Sequence, residues 1–118
     1  MSIKYLKHTE YLEVVFTGQR SSVALSALID EVYKQCQLND FKRILIDLSG
    51  AKGELRETGR FEVGKKVSQV FNYLYKILAI EKEERINKLA ENTAVNRGAN
   101  LLVTSNRKKG LDWLLKDN

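Results

Sequence analysis

The chain of 118 residues contains no proline, one cysteine and one histidine. Without proline no loop can rely on a pre-set φ. Turn geometry therefore falls to glycine, at Gly18, Gly50, Gly53 and Gly98. The lone Cys36 cannot close an internal disulfide, and its place in a helical apolar pattern makes it a small core residue rather than a reactive thiol. A single cysteine and a single histidine are too few for a zinc site, and His8 belongs on an edge strand at the surface or rim. Apolar runs are short, as in Ile44-Leu45-Ile46, and none approaches the ~18 residues of a membrane span. The first thirteen residues lack the basic-then-apolar layout of a secretory signal, so the expected location is cytoplasmic. There is no Gly-x-Ser-x-Gly elbow and no nucleophile with a base beside it, so neither enzymatic activity nor a cofactor or metal is expected.

What is present suits one globular unit spanning residues 1–118, with 43% apolar and 30% charged residues. The net charge is +5, which permits weak attraction to polyanions. The basic residues are nevertheless spread among acidic ones, with no aromatic residues between them to stack bases, so no specific nucleic-acid role is expected.

Periodicity supplies the element order. Residues 3–8 and 11–16 alternate and are rich in β-branched and aromatic side chains, with Thr9-Glu10 between them, which predicts a hairpin. After Gly18, Ser21 or Ser22 can cap a helix whose apolar face is Leu25, Leu28, Ile29, Val32 and Cys36. Residues 43–48 form a nearly unbroken apolar run, the mark of a central two-sided strand. From Thr58 the helical period returns at Val63, Val67, Val70 and Leu74, flanked by Phe61 and Phe71. A second buried strand follows at 75–80, and then one helix running through Ile86, Leu89, Ala90, Thr93 and Ala94 to Gly98 as its C′ residue. A third such strand occupies 100–105, and Ser105 or Asn106 can cap a last short helix. Glu81, Glu83 and Glu84 read as solvated helix-end charges. The predicted order is ββαβαβαβα: an α/β fold with one mixed sheet of about five strands, an antiparallel N-terminal hairpin and four helices.

Gly59 to Lys66 reads Gly-x-x-x-x-Gly-Lys-Lys, one residue short of a phosphate-binding loop. Such a loop must follow a strand within a residue or two and end in Ser or Thr for Mg²⁺. Here the first glycine lies far beyond the strand that ends at Asp47, Lys66 replaces the hydroxyl, and the apolar stripe from Phe61 makes the segment helical. Gly64 then reads as a flank where a neighbouring element approaches closely.

Four segments in this order, Asp47-Leu48-Ser49-Gly50, Arg60-Phe61-Glu62-Val63-Gly64, Asn96-Arg97-Gly98 and Trp113-Leu114-Leu115, resemble the STAS superfamily of anti-sigma-factor antagonists. The resemblance covers nearly the whole chain and points more narrowly to the SpoIIAA-like branch, related in shape to Sec14-type lipid-transfer domains. It implies a non-enzymatic regulatory or binding module that acts through a protein partner or a small amphipathic, lipid-like ligand. In antagonists of this superfamily a Ser in an Asp-Ser-x-Gly segment at a helix N-terminus is phosphorylated by a partner kinase. By position Glu57 stands near that Asp and Thr58 near that Ser, which makes Thr58 the candidate phosphoacceptor; it also reads as a plain N-cap. The loop is longer here, the acceptor is Thr, and Gly-Arg follows it. The Sec14-like likeness implies a cavity lined by Phe61, Val67, Phe71 and Leu74, with Tyr73 and Tyr75, which helical spacing explains equally as core. Asp47, Ser49, Glu57, Arg60, Phe61, Phe71 and Arg97 form the candidate anion, ligand or partner surface, with Arg60 and Arg97 able to meet an anionic group. Peripheral membrane contact and a homodimer are both compatible with this reading.

Overall fold

The structure is a computed structural model in which residues 2–117 are described. Strands β1 (Ser2–Lys7) and β2 (Leu12–Thr17) form the expected antiparallel hairpin, closed by Lys7 opposite Leu12. Then come α1 (Ser22–Asn39), β3 (Arg43–Asp47), α2 (Glu57–Val70), β4 (Lys76–Ile80), α3 (Leu89–Asn96), β5 (Asn100–Thr104) and α4 (Arg107–Leu115). The sheet order is β1-β2-β3-β4-β5, and every pairing after the hairpin is parallel. Right-handed crossovers that always step the same way put their helices on one face. The main core accordingly includes Leu25, Leu28, Ile29 and Val32 of α1, Val67 of α2 and Ala94 of α3 against β2–β5. Helix α4 covers the other face, where Leu114 packs with Leu45, Leu78 and Ile80. Strand β4 is buried along its whole length, as the apolar run 77–80 requires, and Lys76 at its start is buried with it.

Local chemistry sets the helix ends. The Ser21 hydroxyl caps α1 by accepting from the Ala24 N–H at 3.0 Å, and Asn106 caps α4 by accepting from Lys109 N–H at 3.0 Å. The face expected on α1 is the buried one, with Cys36 in it. Gly18, Gly53 and Gly98 adopt positive φ, so glycine supplies turns that proline cannot; Gly50 does not.

Two helices differ from their expected extents. The period through Leu74 overruns α2, which ends at Val70. The Asn72 side-chain oxygen accepts from the Leu74 N–H at 2.9 Å, an Asx turn that competes with the helix. Phe71 then turns inward against Tyr33 and Tyr75, and Leu74 and Tyr73 are left exposed. The single helix expected over residues 83–97 is split into a 3₁₀ turn (Glu83–Arg85) and α3. Lys88 in the left-handed region breaks it, and Asn87 Oδ1 accepts from the Leu89 N–H at 3.1 Å.

Candidate functional site

Sequence pattern placed its candidates around the mouth of α2, and the structure spreads them over three environments. Asp47 and Ser49 meet directly. Asp47 Oδ1 accepts from the Ser49 N–H at 2.9 Å and from its hydroxyl at 2.6 Å, which bends the backbone as it leaves β3. Arg107 of α4 reaches both Asp47 Oδ2 (3.3 Å) and Glu13 (2.5 Å), so this carboxylate is held on the α4 side of the sheet.

Glu57, Thr58, Phe61 and Arg97 form an exposed strip. The N-cap of α2 is Arg56, so Thr58 is the second residue of the helix, and the N-cap reading of Thr58 is corrected. No polar side group caps this end, and among the described residues the N–H groups of Glu57, Thr58 and Gly59 have no hydrogen-bond acceptor. Thr58 and Phe61 lie three positions apart, on one face of the helix. The Phe61 ring is exposed and carries the Arg97 guanidinium 5.3 Å from its centroid, joining the first turns of α2 to the end of α3.

Arg60 and Phe71 behave otherwise. Arg60 is an internal cross-link: Nε donates to the Leu55 carbonyl at 2.9 Å and Nη1 to the Arg85 carbonyl at 2.9 Å and to Asn87 at 3.3 Å. Carbonyl oxygens offset a first-turn cation that the helix dipole disfavours, and no carboxylate is needed. Phe71 is 1% exposed and belongs to the core.

Glycine placement agrees with the rejection of a nucleotide loop. Gly59 and Gly64 both lie inside α2. A Cβ on Gly64 would strike the Ala90 carbonyl and come within 2.8 Å of Thr93 Cβ, so α3 crosses α2 where a side chain is missing.

A second group has no signature in the sequence pattern. Arg20, just past β2, and Glu81, just past β4, form an ion pair at 2.6 Å whose side chains are 4% and 8% exposed. Glu81 is therefore not a solvated helix-end charge. Arg20 Nη1 also donates to the Gly53 carbonyl and Nη2 to the Leu48 carbonyl, so the guanidinium ties three loops together. Burial pushes the Arg20 pKa down, and the neighbouring Glu81 opposes that shift. Arg85 donates to the Ala51 carbonyl at 2.6 Å and holds the same loop from the other side. The pair is legible only as two charges abutting strand ends; 61 residues separate them, and no local spacing links them.

Beneath α2 lies a cavity of about 110 Å³, bounded by α1, α2, α3 and the sheet. Of the apolar residues expected to line it, only Val67 does; Phe61, Phe71, Tyr73, Leu74 and Tyr75 do not. Its apolar wall comes instead from residues such as Leu25, Leu28, Val63, Ala79 and Leu101. Among the described residues no group of three or more metal-ligating side chains converges, and no helix is long and apolar enough to cross a membrane.

The sequence matches no family model and no curated protein. Solved structures do match over nearly their full lengths. An anti-sigma-factor antagonist from Mycobacterium paratuberculosis superimposes with a TM-score of 0.65 at 13% identity, covering 98% of this chain and 94% of its own. An uncharacterized protein with a SpoIIAA-like fold from Shewanella loihica gives 0.55 at 16% identity, over 96% and 92%. A serine-to-glutamate variant of RsbS from Moorella thermoacetica gives 0.56 at 19% identity, over 97% and 95%. With its antiparallel hairpin, parallel β2–β5 and four helices, the chain has the STAS-type, SpoIIAA-like fold of the anti-sigma-factor antagonists.

Proposed function

We propose that the chain is a non-enzymatic STAS-like regulatory module that acts by binding a protein partner through the mouth of α2 and the adjoining end of α3. The carrying observation is the exposed, uncapped start of α2, where Thr58, Phe61 and Arg97 form one surface while the starts of α1 and α4 are capped by Ser21 and Asn106. An aromatic ring with a cation across it offers a partner apolar area together with charge. The fold shared with anti-sigma-factor antagonists supports the same reading.

Phosphorylation of Thr58 is the regulatory form of this proposal. Its side chain is exposed, and a phosphate there would lie beside the free N–H groups of the first turn and the positive end of the helix dipole. The cavity beneath α2, about 110 Å³, is well below the roughly 300–1,000 Å³ of ordinary small-molecule pockets, so it does not house a membrane lipid.

Affinity capture on immobilised wild type and on Phe61→Asp, quantified by mass spectrometry, tests the docking surface. At least tenfold loss of a captured protein with an unchanged melting temperature supports it; equal capture overturns it. Phosphopeptide mapping after incubation with ATP and lysate tests the switch. Phosphate on Thr58 supports it, and phosphate absent from Thr58 under every growth condition sampled overturns it.

A further inference from the structure

The cavity beneath α2 combines an apolar wall with cations that its carboxylates do not balance. Arg20, Arg60, Arg85 and Lys88 line it against Glu81 and Glu91. Glu81 is taken by Arg20 and Glu91 by Lys88, at 2.6 and 3.1 Å. Arg60 and Arg85 are half-buried and have no carboxylate within ion-pair distance among the described residues; carbonyl and amide oxygens alone hold them. Arg20 is 7% exposed, and its Nε is buried with no hydrogen-bond partner. A buried donor left unpaired costs free energy comparable to a lost hydrogen bond. Water could accept from that Nε, but water would leave the charge of Arg60 and Arg85 unopposed.

We infer that this cavity is a binding site for a small aliphatic carboxylate, its tail among Leu25, Val63 and Val103 and its carboxylate toward the Arg20, Arg60 and Arg85 guanidinium groups. This rests on the cavity and its charge, and it is independent of the partner surface at the mouth of α2. The volume admits roughly seven to ten water-sized positions, so acids of about four to six carbons fit and long acyl tails do not. Asn87 and Lys88 are exposed and line the cavity, which puts the entrance at the break between the 3₁₀ turn and α3. Arginine suits the task, since its planar fork matches a carboxylate and keeps its charge when buried.

The test is an NMR titration of the wild-type protein with butyrate, hexanoate, decanoate and the neutral n-butanol, following the methyl groups of Leu25, Val63 and Val103 and the Arg20 Nε–H. Saturable shifts at these groups are expected with butyrate. Hexanoate should bind more tightly, by about fourfold per added methylene. Decanoate should lose that gain, and butanol should bind at least about tenfold more weakly than butyrate. Absence of saturation by either short acid overturns the site. Equal affinity for butyrate and butanol overturns the carboxylate, and affinity that keeps rising through decanoate overturns the size limit set by the cavity. Val63→Phe fills the space without touching the arginines, and binding that survives it at wild-type strength also overturns the assignment. The acid-length series on the wild type decides the question if that variant does not fold.

Discussion

On one face of the sheet α1, α2 and α3 arch over a cavity beside a buried ion pair; on the other, α4 lies directly on β4, with Gly110 against Leu78. Both faces bury charge, by different means. The three-helix face holds Arg20 against a carboxylate. The α4 face holds Lys76, 6% exposed, with its ammonium donating to the Trp113 and Lys116 carbonyls and lying over the Trp113 ring. Lys76 and Arg43 thereby satisfy the last carbonyls of α4 and cap its C-terminus. Helix α4 is tied down at both ends, by Asn106 at its start and by Lys76 and Arg43 at its close, whereas the three-helix face has an uncapped helix mouth and two arginines without a carboxylate partner among the described residues, and both proposed binding sites lie there.

The largest effect separates the two buried cations. Arg20→Met strands Glu81 in the interior and should cost about 3–5 kcal/mol, while adding Glu81→Leu should restore most of it. Lys76→Met removes a cation that has no carboxylate partner among the described residues, so no opposite charge is stranded, and the loss should be smaller, about 1–2 kcal/mol for the two carbonyls at the end of α4 left without their donor. Urea denaturation of the three variants measures the contrast, and equal losses for the two single variants would erase it.

Alkaline pH comes next. Burial pushes the Cys36 thiol up to about 11 and the Tyr5 hydroxyl up to about 12, and both sit on the three-helix face. Between pH 9 and 11 the unfolded protein releases the thiol proton while the folded protein keeps it. The unfolded state then binds fewer protons, and stability falls as pH rises, by on the order of 2–3 kcal/mol for Cys36. Burial lowers the pKa of Lys76, which has the opposite sign: its contribution rises toward pH 10.5. Stability of Cys36→Ala followed from pH 8 to 11 should lack the fall attributed to the thiol; a fall as steep as in the wild type contradicts the assignment.

Close approach distinguishes the faces by a smaller margin. A methyl on Gly64 meets the Ala90 backbone, which cannot turn aside, so Gly64→Ala should cost about 1–3 kcal/mol net. A methyl on Gly110 meets the ends of Leu78, within 2.6 Å of Cδ1, and those can rotate. The helix propensity of alanine returns about 1 kcal/mol, so Gly110→Ala should cost less than half as much. Thermal melts of the two variants give the order directly. The smallest effect concerns helix starts: Ser21→Ala and Asn106→Ala should each cost about 1 kcal/mol, and Thr58→Ala less than about 0.5.

How much of this was legible in the sequence follows from how local each signal is. The hairpin and the buried face of α1 rest on neighbours a few residues apart and appear where pattern places them, and at each cap the structure selects one of two adjacent candidates, Ser21 over Ser22 and Asn106 over Ser105. Gly64 was legible as a close-packing site because a glycine beside an apolar stripe has few other uses. Helix α2 was read one turn too long because Asn72 and the exposed Leu74 fit the period as well as the Asx turn that ends it. The break before α3 rests on Lys88 at positive φ, a choice no lysine announces. Arg20 and Glu81 were not legible at all, because their pairing depends on which strand ends the sheet brings together. Asp47, Ser49, Glu57, Thr58, Phe61 and Arg97 all reach the surface or its edge, but the α4 side holds Asp47 while Phe61 and Arg97 join the α2 mouth.

Melting Thr58→Glu and measuring protein capture by the same variant decides whether the mouth of α2 serves a partner or stability. A carboxylate in the first turn of α2 is electrostatically favourable, so the melting temperature should be unchanged or slightly higher. Capture of at least one partner should change by tenfold or more, relative to wild type. A melt unchanged together with unchanged capture, or a lowered melt with capture falling in step, contradicts a partner role for the mouth of α2.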